Sequence, residues 1–141
     1  YTDIMKAQEV SKATNKPIFA FFTGSDWCGW CKKMQRDVFA KKEFLAWAPK
    51  NVILLELDFP RGKQLPQEIV QQNNSLQQTF QVKGFPTVWM FYLIRDESKQ
   101  TFNISAIGSL GYPQGAQVGK EEAKFLNDAN DLISKYALQP Q

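Results

Sequence analysis

Histidine is absent from this chain of 141 residues. That absence excludes Ser-His-Asp triads, histidine-ligated haem, HExxH zinc sites and Cys2His2 zinc fingers. Cysteine is scarce: Cys28 and Cys31 are the only two. A structural zinc site takes four thiolate or imidazole ligands, so no metal site is expected within one chain. Charge of one sign is also lacking. The 17 Lys and Arg against 14 Asp and Glu leave a net charge of +3, too little to argue for nucleic acid. No apolar run is long enough to span a membrane; the longest, Val88–Ile94, has the length of a strand. Neither an internal repeat nor a linker divides the sequence, and its length predicts a single domain over residues 1–141.

What is present is aromatic. Eleven Phe, 4 Trp and 4 Tyr argue for a packed core rather than disorder. Residues 3–15 read as a short helix, with Ile4, Ala7 and Val10 at helical spacing, stopped by Lys16–Pro17. The continuous apolar run Ile18-Phe19-Ala20-Phe21-Phe22 reads as a strand buried on both faces. From Cys28 the pattern turns helical, with Cys31, Met34 and Val38 on one face. A second helical piece holds Phe44, Leu45 and Trp47 and is expected to end at Pro49. Val52–Asp58 reads as another strand of the buried type. Pro66 suits the first turn of a helix carrying Ile69, Asn73, Leu76 and Phe80 on one side. Thr87–Tyr92 is a third strand, and Phe102–Ile107 is its expected hairpin partner. Phe125, Leu126, Ala129, Leu132, Ile133 and Tyr136 stripe a last amphipathic helix. Strands joined by helices pair in parallel through right-handed crossovers, whereas the last two strands are close enough for an antiparallel hairpin. An α/β fold follows: a mixed central sheet flanked by helices on both faces.

The chemistry is concentrated in Trp27-Cys28-Gly29-Trp30-Cys31-Lys32, where a Cys-x-x-Cys follows a buried strand and opens a helix. Unpaired amides and the dipole at a helix start stabilise an anion, so a thiolate at Cys28 is favoured and its pKa is expected to fall. Cys31 lies one turn on, faces inward and is expected to be the less exposed of the two. The alternative is a structural disulfide, but closing so short a loop contributes only about 2 kcal/mol. Redox use is the stronger reading.

These residues resemble the active site of the thioredoxin superfamily. A second signature, Val82-Lys83-Gly84-Phe85-Pro86-Thr87-Val88, is similar to the family's loop in which a cis proline faces the disulfide. The resemblance covers nearly the whole chain. More narrowly, Phe22–Cys28, Leu57-Asp58-Phe59-Pro60 and Gly84-Phe85-Pro86 resemble bacterial periplasmic thiol–disulfide oxidoreductases of the DsbH type. The resemblance implies a thioredoxin fold and a protein-disulfide reductase, with an oxidase or isomerase and a redox-silent client-binding module as the alternatives. Cys28 and Cys31 would be catalytic, and Trp27, Trp30, Phe85 and Pro86 would bind substrate. It implies no cofactor and a monomer. The partners would be disulfide-bearing proteins and an electron-donor dithiol protein, soluble or membrane-bound. It also implies a periplasmic location, and the start at Tyr1 rather than Met fits a removed signal peptide. Two positions depart from the family. The buried aspartate six residues before the first cysteine is Phe22 here, and the glutamate of DsbD-type reductase domains, four residues after the second, is Gln35. Asp26, Glu56 and Asp58 are the acids close enough to substitute, and each reads first as a solvated or capping residue.

Overall fold

Ile18-Phe19-Ala20-Phe21-Phe22 forms the heart of β1 (Ile18–Thr23), and every residue of that strand is buried. The computed structural model describes residues 1–138. Around β1 the chain runs α1 (Ile4–Thr14), α2 (Gly29–Met34), a π-helical turn (Gln35–Phe39), α3 (Lys42–Asn51), β2 (Ile53–Asp58), α4 (Gln67–Thr79), β3 (Thr87–Asp96), β4 (Thr101–Leu110) and α5 (Glu121–Ala137). The sheet order is β2-β1-β3-β4. β1 pairs in parallel with β2 and antiparallel with β3, and β3 pairs antiparallel with β4. This is the mixed sheet that the sequence predicts.

Strand alternation splits the core into two layers. Phe19, Phe21, Val88 and Met90 point to one side, where Met34, Val38, Phe39, Phe44, Phe125 and Ala129 of the helices meet them. Ile18, Ala20, Phe22 and Phe91 point to the other side, against Ala7 of α1 and Leu76 of α4. Helices therefore cover both faces, as expected. Cys28 and Cys31 belong to the first layer.

Caps explain where the helices start and stop. Asp3 accepts from the Met5 amide at 2.9 Å and opens α1. α1 closes at Asn15 in the left-handed region (φ 56°), one residue before Lys16–Pro17.

Two expectations need correction. β2 is not buried on both faces: its exposure alternates, with Leu54 and Glu56 open and Ile53, Leu55 and Leu57 buried. The helices that cover Phe19 and Phe21 on the same face of the sheet do not extend over Leu54 and Glu56. α3 does not end at Pro49 but continues to Asn51. The proline ring removes only its own N–H bond, and the turn closes behind it through Val52 N–H to the Ala48 carbonyl at 3.0 Å. The helix after Cys28 keeps Cys31, Met34 and Val38 buried on one face, but it widens into the π turn, where the Ala40 amide reaches the Gln35 carbonyl at 2.8 Å.

Candidate active site

β1 delivers the chain into a tight turn at its C-terminal end. The amides of Trp27 and Cys28 both donate to the Gly24 carbonyl, at 3.2 and 2.8 Å. That turn places Cys28 in extended backbone as the N-cap of α2. Its Sγ takes the role that a serine or aspartate oxygen usually has there, accepting the Cys31 amide at 3.1 Å. Cys28 and Cys31 form a disulfide with Cα atoms 5.2 Å apart. Cys28 is 6% exposed and Cys31 is 1% exposed. The order of exposure is the expected one, although only a narrow face of Cys28 reaches solvent.

One wall of the site is built on Trp27. Its indole Nε1 donates to the Phe59 carbonyl at 2.7 Å, and its ring meets Phe85 edge-on at 5.8 Å. Phe85 in turn stacks on Phe59 at 5.1 Å. The Phe85–Pro86 peptide bond is cis. Arg61 lays its guanidinium over the Trp27 ring at 3.9 Å. Asp26 holds the loop bearing Arg61, accepting from the amides of Arg61 at 3.0 Å and Gly62 at 2.7 Å. Those two amides hold the Asp26 carboxyl below its ordinary range.

Gly24 makes this wall possible. A Cβ at that position would lie 2.6 Å from Nε1 of Trp27, inside the indole. The indole is tied at both ends by Phe59 and Phe85 and has little room to retreat. Gly24→Ala is therefore expected to cost about 2 kcal/mol. A urea-unfolding midpoint equal to that of the parent protein would show that Trp27 is free to shift.

A second aromatic group is built on Trp30, which is 51% exposed. Its ring meets Tyr112 edge-on at 5.2 Å, and the Lys33 ammonium lies 5.0 Å from the Trp30 centroid and 4.5 Å from that of Tyr112. The Tyr112 hydroxyl donates to Asp37 Oδ2 at 2.6 Å, fixing the ring in place. This hydrogen bond, with the nearby Arg36 and Lys33, lowers the Asp37 pKa. Burial first, and the bond to Asp37 second, push the Tyr112 phenol up. Gly111 brings the same segment against the other signature loop: a Cβ there would lie 3.8 Å from the Pro86 carbonyl.

The structure thus gathers Trp27, Cys28, Trp30, Cys31, Phe85 and Pro86 at one end of the sheet. Tyr112, Asp37 and Arg61 were not singled out in the sequence. The Gly111-Tyr112-Pro113 turn after the hairpin, and an arginine in the Phe59–Lys63 loop, were the available signals. The acids considered as substitutes for the family carboxylate are engaged or remote. Asp58 accepts from the Ser25 amide at 2.9 Å and the Ser25 hydroxyl at 2.5 Å, and it pairs with Lys63 at 3.8 Å. Glu56 is exposed on the edge strand, and Phe22 is fully buried between Phe59 and Phe80.

A disulfide at the helix start after a central strand, with a cis proline opening the neighbouring strand, defines a protein of the thioredoxin-like class. A model of the thioredoxin-like domain matches residues 4–94, and the chain belongs to that family. Disulfide bond reductase DsbH of Chlamydia pneumoniae is 44% identical over 81 residues, which are 57% of this chain and 49% of that protein. Thioredoxin-related protein DsbJ of the same organism is 27% identical over 119 residues, 84% of this chain and 32% of that one. The chain thus spans half or less of the length of these relatives. A solved DsbH oxidoreductase superposes with a TM-score of 0.77 at 30% identity, covering 95% of this chain and 83% of that one.

Proposed function

We propose that this chain is a thiol–disulfide oxidoreductase that reduces disulfides of other proteins. The observation that carries the reading is the Cys31 amide aimed at Cys28 Sγ at the start of α2. That donor, with the other free amides of the helix start, supports a sulfur anion at Cys28. In the reduced protein the Cys28 thiolate attacks one sulfur of a substrate disulfide. An intermolecular S–S bond forms, the substrate bond breaks, and the first substrate sulfur leaves as a thiolate that takes up a proton. Cys31 then loses its proton and attacks Cys28 Sγ, and the second substrate sulfur leaves. Two electrons pass to the substrate and the Cys28–Cys31 disulfide remains. A partner dithiol returns the pair to the reduced state.

Trp27, Trp30, Phe85 and Pro86 frame the approach to Cys28, and the backbone beside Pro86 offers an edge to an extended substrate segment. Resemblance to the DsbH type supports a bacterial periplasmic setting. Among the described residues, no helix is long and apolar enough to cross a membrane. Two measurements test the reading. Insulin with dithiothreitol should precipitate faster in its presence, and Cys28→Ser should abolish the gain. Equilibration with glutathione or dithiothreitol should place the potential nearer to about −270 mV, as in thioredoxin, than to about −120 mV, as in DsbA. A value at the oxidising end would reverse the proposed direction; no catalysed precipitation would remove the activity.

A further inference from the structure

Each tryptophan flanking Cys28 carries a cation on its ring: Arg61 on Trp27 and Lys33 on Trp30. The two cations therefore stand on two separate aromatic groups, one built on the residue before Cys28 and one on the residue before Cys31. Arg61 is exposed, and no carboxylate lies within ion-pairing distance of its guanidinium among the described residues. Its position is nonetheless fixed. Asp26 grips the backbone amides of Arg61 and Gly62, while Trp27 binds the Phe59 carbonyl two residues earlier. An arginine held in this way loses less freedom when it binds an anion than a mobile surface arginine does.

Asp26, Asp37 and Asp58 offset part of this field, but Arg36 and Lys63 pair with two of these three acids, and Arg61, Lys33, Lys32 and Lys83 remain as a cationic excess. Asp26 is occupied by the two loop amides and Asp58 by Ser25 and Lys63. Asp37 is shared among Tyr112, Arg36 and Lys33, and the Lys33 pair is long, at 4.0 Å. Lys32 beside Cys31, and Lys83 in the turn leading to Phe85–Pro86, are exposed and have no acidic partner among the described residues. The rim around a nearly buried disulfide is thus cationic on several sides, in a chain whose overall charge is only +3.

We propose that this rim selects protein disulfides whose cysteines are flanked by acidic residues, with Arg61 and Lys33 as the specificity-determining pair. The inference rests on the oxidoreductase reading and names its substrate class. A carboxylate beside a substrate cysteine would meet a cation on either aromatic group while its disulfide faces Cys28. The cationic rim would also raise the encounter rate of such substrates.

The test uses the full chain, reduced, and two synthetic peptides with one internal disulfide each. The peptides differ only in bearing Glu or Lys two residues to either side of one cysteine. Release of peptide thiols is followed by chromatography. Each rate is divided by that of the same protein variant with hydroxyethyl disulfide, which is uncharged. At low ionic strength the acidic peptide should react about tenfold faster than the basic one. The ratio should collapse toward unity at about 0.5 M salt. Arg61→Gln together with Lys33→Gln should cut the ratio at least threefold, and Arg61→Lys should largely keep it. Equal rates for the two peptides, or a preference that survives the double substitution, overturn the selectivity and leave the oxidoreductase reading standing. Failure to reduce either peptide or hydroxyethyl disulfide overturns that reading, and the inference with it.

Discussion

Cys31→Ser should accumulate as covalent adducts with its clients. The substitution leaves Cys28 at the start of α2 but removes the sulfur that would displace the client. The mixed disulfide then has no internal exit. On a non-reducing gel of extract from the native compartment, higher-mass bands should appear and collapse on adding reductant. Cys28→Ser should trap about tenfold less. The remaining Cys31 thiol is 1% exposed and sits in the core layer, while the free amide of its own residue is aimed at position 28 rather than at its own sulfur. Equal trapping by both variants would mean that the two sulfurs are not divided into attacking and resolving roles. No adduct from either would point to a binding module without redox turnover. The trapped bands also name the clients, whose flanking sequences bear on the cationic rim.

Phe19→Ala should produce the largest loss of stability of any single truncation. Phe19 is 1% exposed, one residue into β1. Its ring meets Phe39, Phe44 and Phe125 at 6.0, 5.8 and 6.0 Å and Trp47 at 6.3 Å, so it ties β1 to the π turn, α3 and α5 together. Removing it deletes a large apolar side chain and leaves a void lined by rings fixed on separate elements. A loss of about 4 kcal/mol is expected, equivalent to a fall of roughly 10 °C in Tm. Urea titration followed by circular dichroism measures it. A loss under about 1 kcal/mol would show that α3 and α5 close over the gap.

The site was legible where its chemistry is local. Cys28, Cys31 and the Phe85–Pro86 turn each announce themselves within a few residues, and β1 betrays its burial by five apolar residues in a row. The misreading of β2 and the missed wall residues depend on what is adjacent in space; that of Pro49 is local. Leu54 and Glu56 are exposed because the helices that bury Phe19 and Phe21 on the same face stop short of β2, and how far those helices reach is not written in β2 itself. Pro49 sits within α3 because only one hydrogen bond was at stake so close to the helix end. Tyr112 reaches Trp30 from 82 positions along the chain, and Arg61 reaches Trp27 from 34. No periodicity within one segment reports such a meeting. The π turn leaves the burial pattern of Cys31, Met34 and Val38 intact, so hydrophobic spacing carries no trace of it.

At the rim of the sheet opposite β2 lies β4, ten residues long and, among the described residues, paired only on its β3 side. Thr101 to Leu110 contains no Lys, Arg, Asp, Glu or Pro, the residues by which natural proteins keep an open edge from recruiting another strand. α5 shields one face of β4, through Leu132 against Gly108 and Tyr136 against Ser105, but it does not cover the outward row of amides and carbonyls. The shift in β3–β4 register at Met90/Phe91 bends the ribbon without interrupting that row at its far end. Self-association in concentrated solution would therefore begin at β4, away from the disulfide. Ile104, 36% exposed near the middle of the strand, is where a lysine would most directly discourage it.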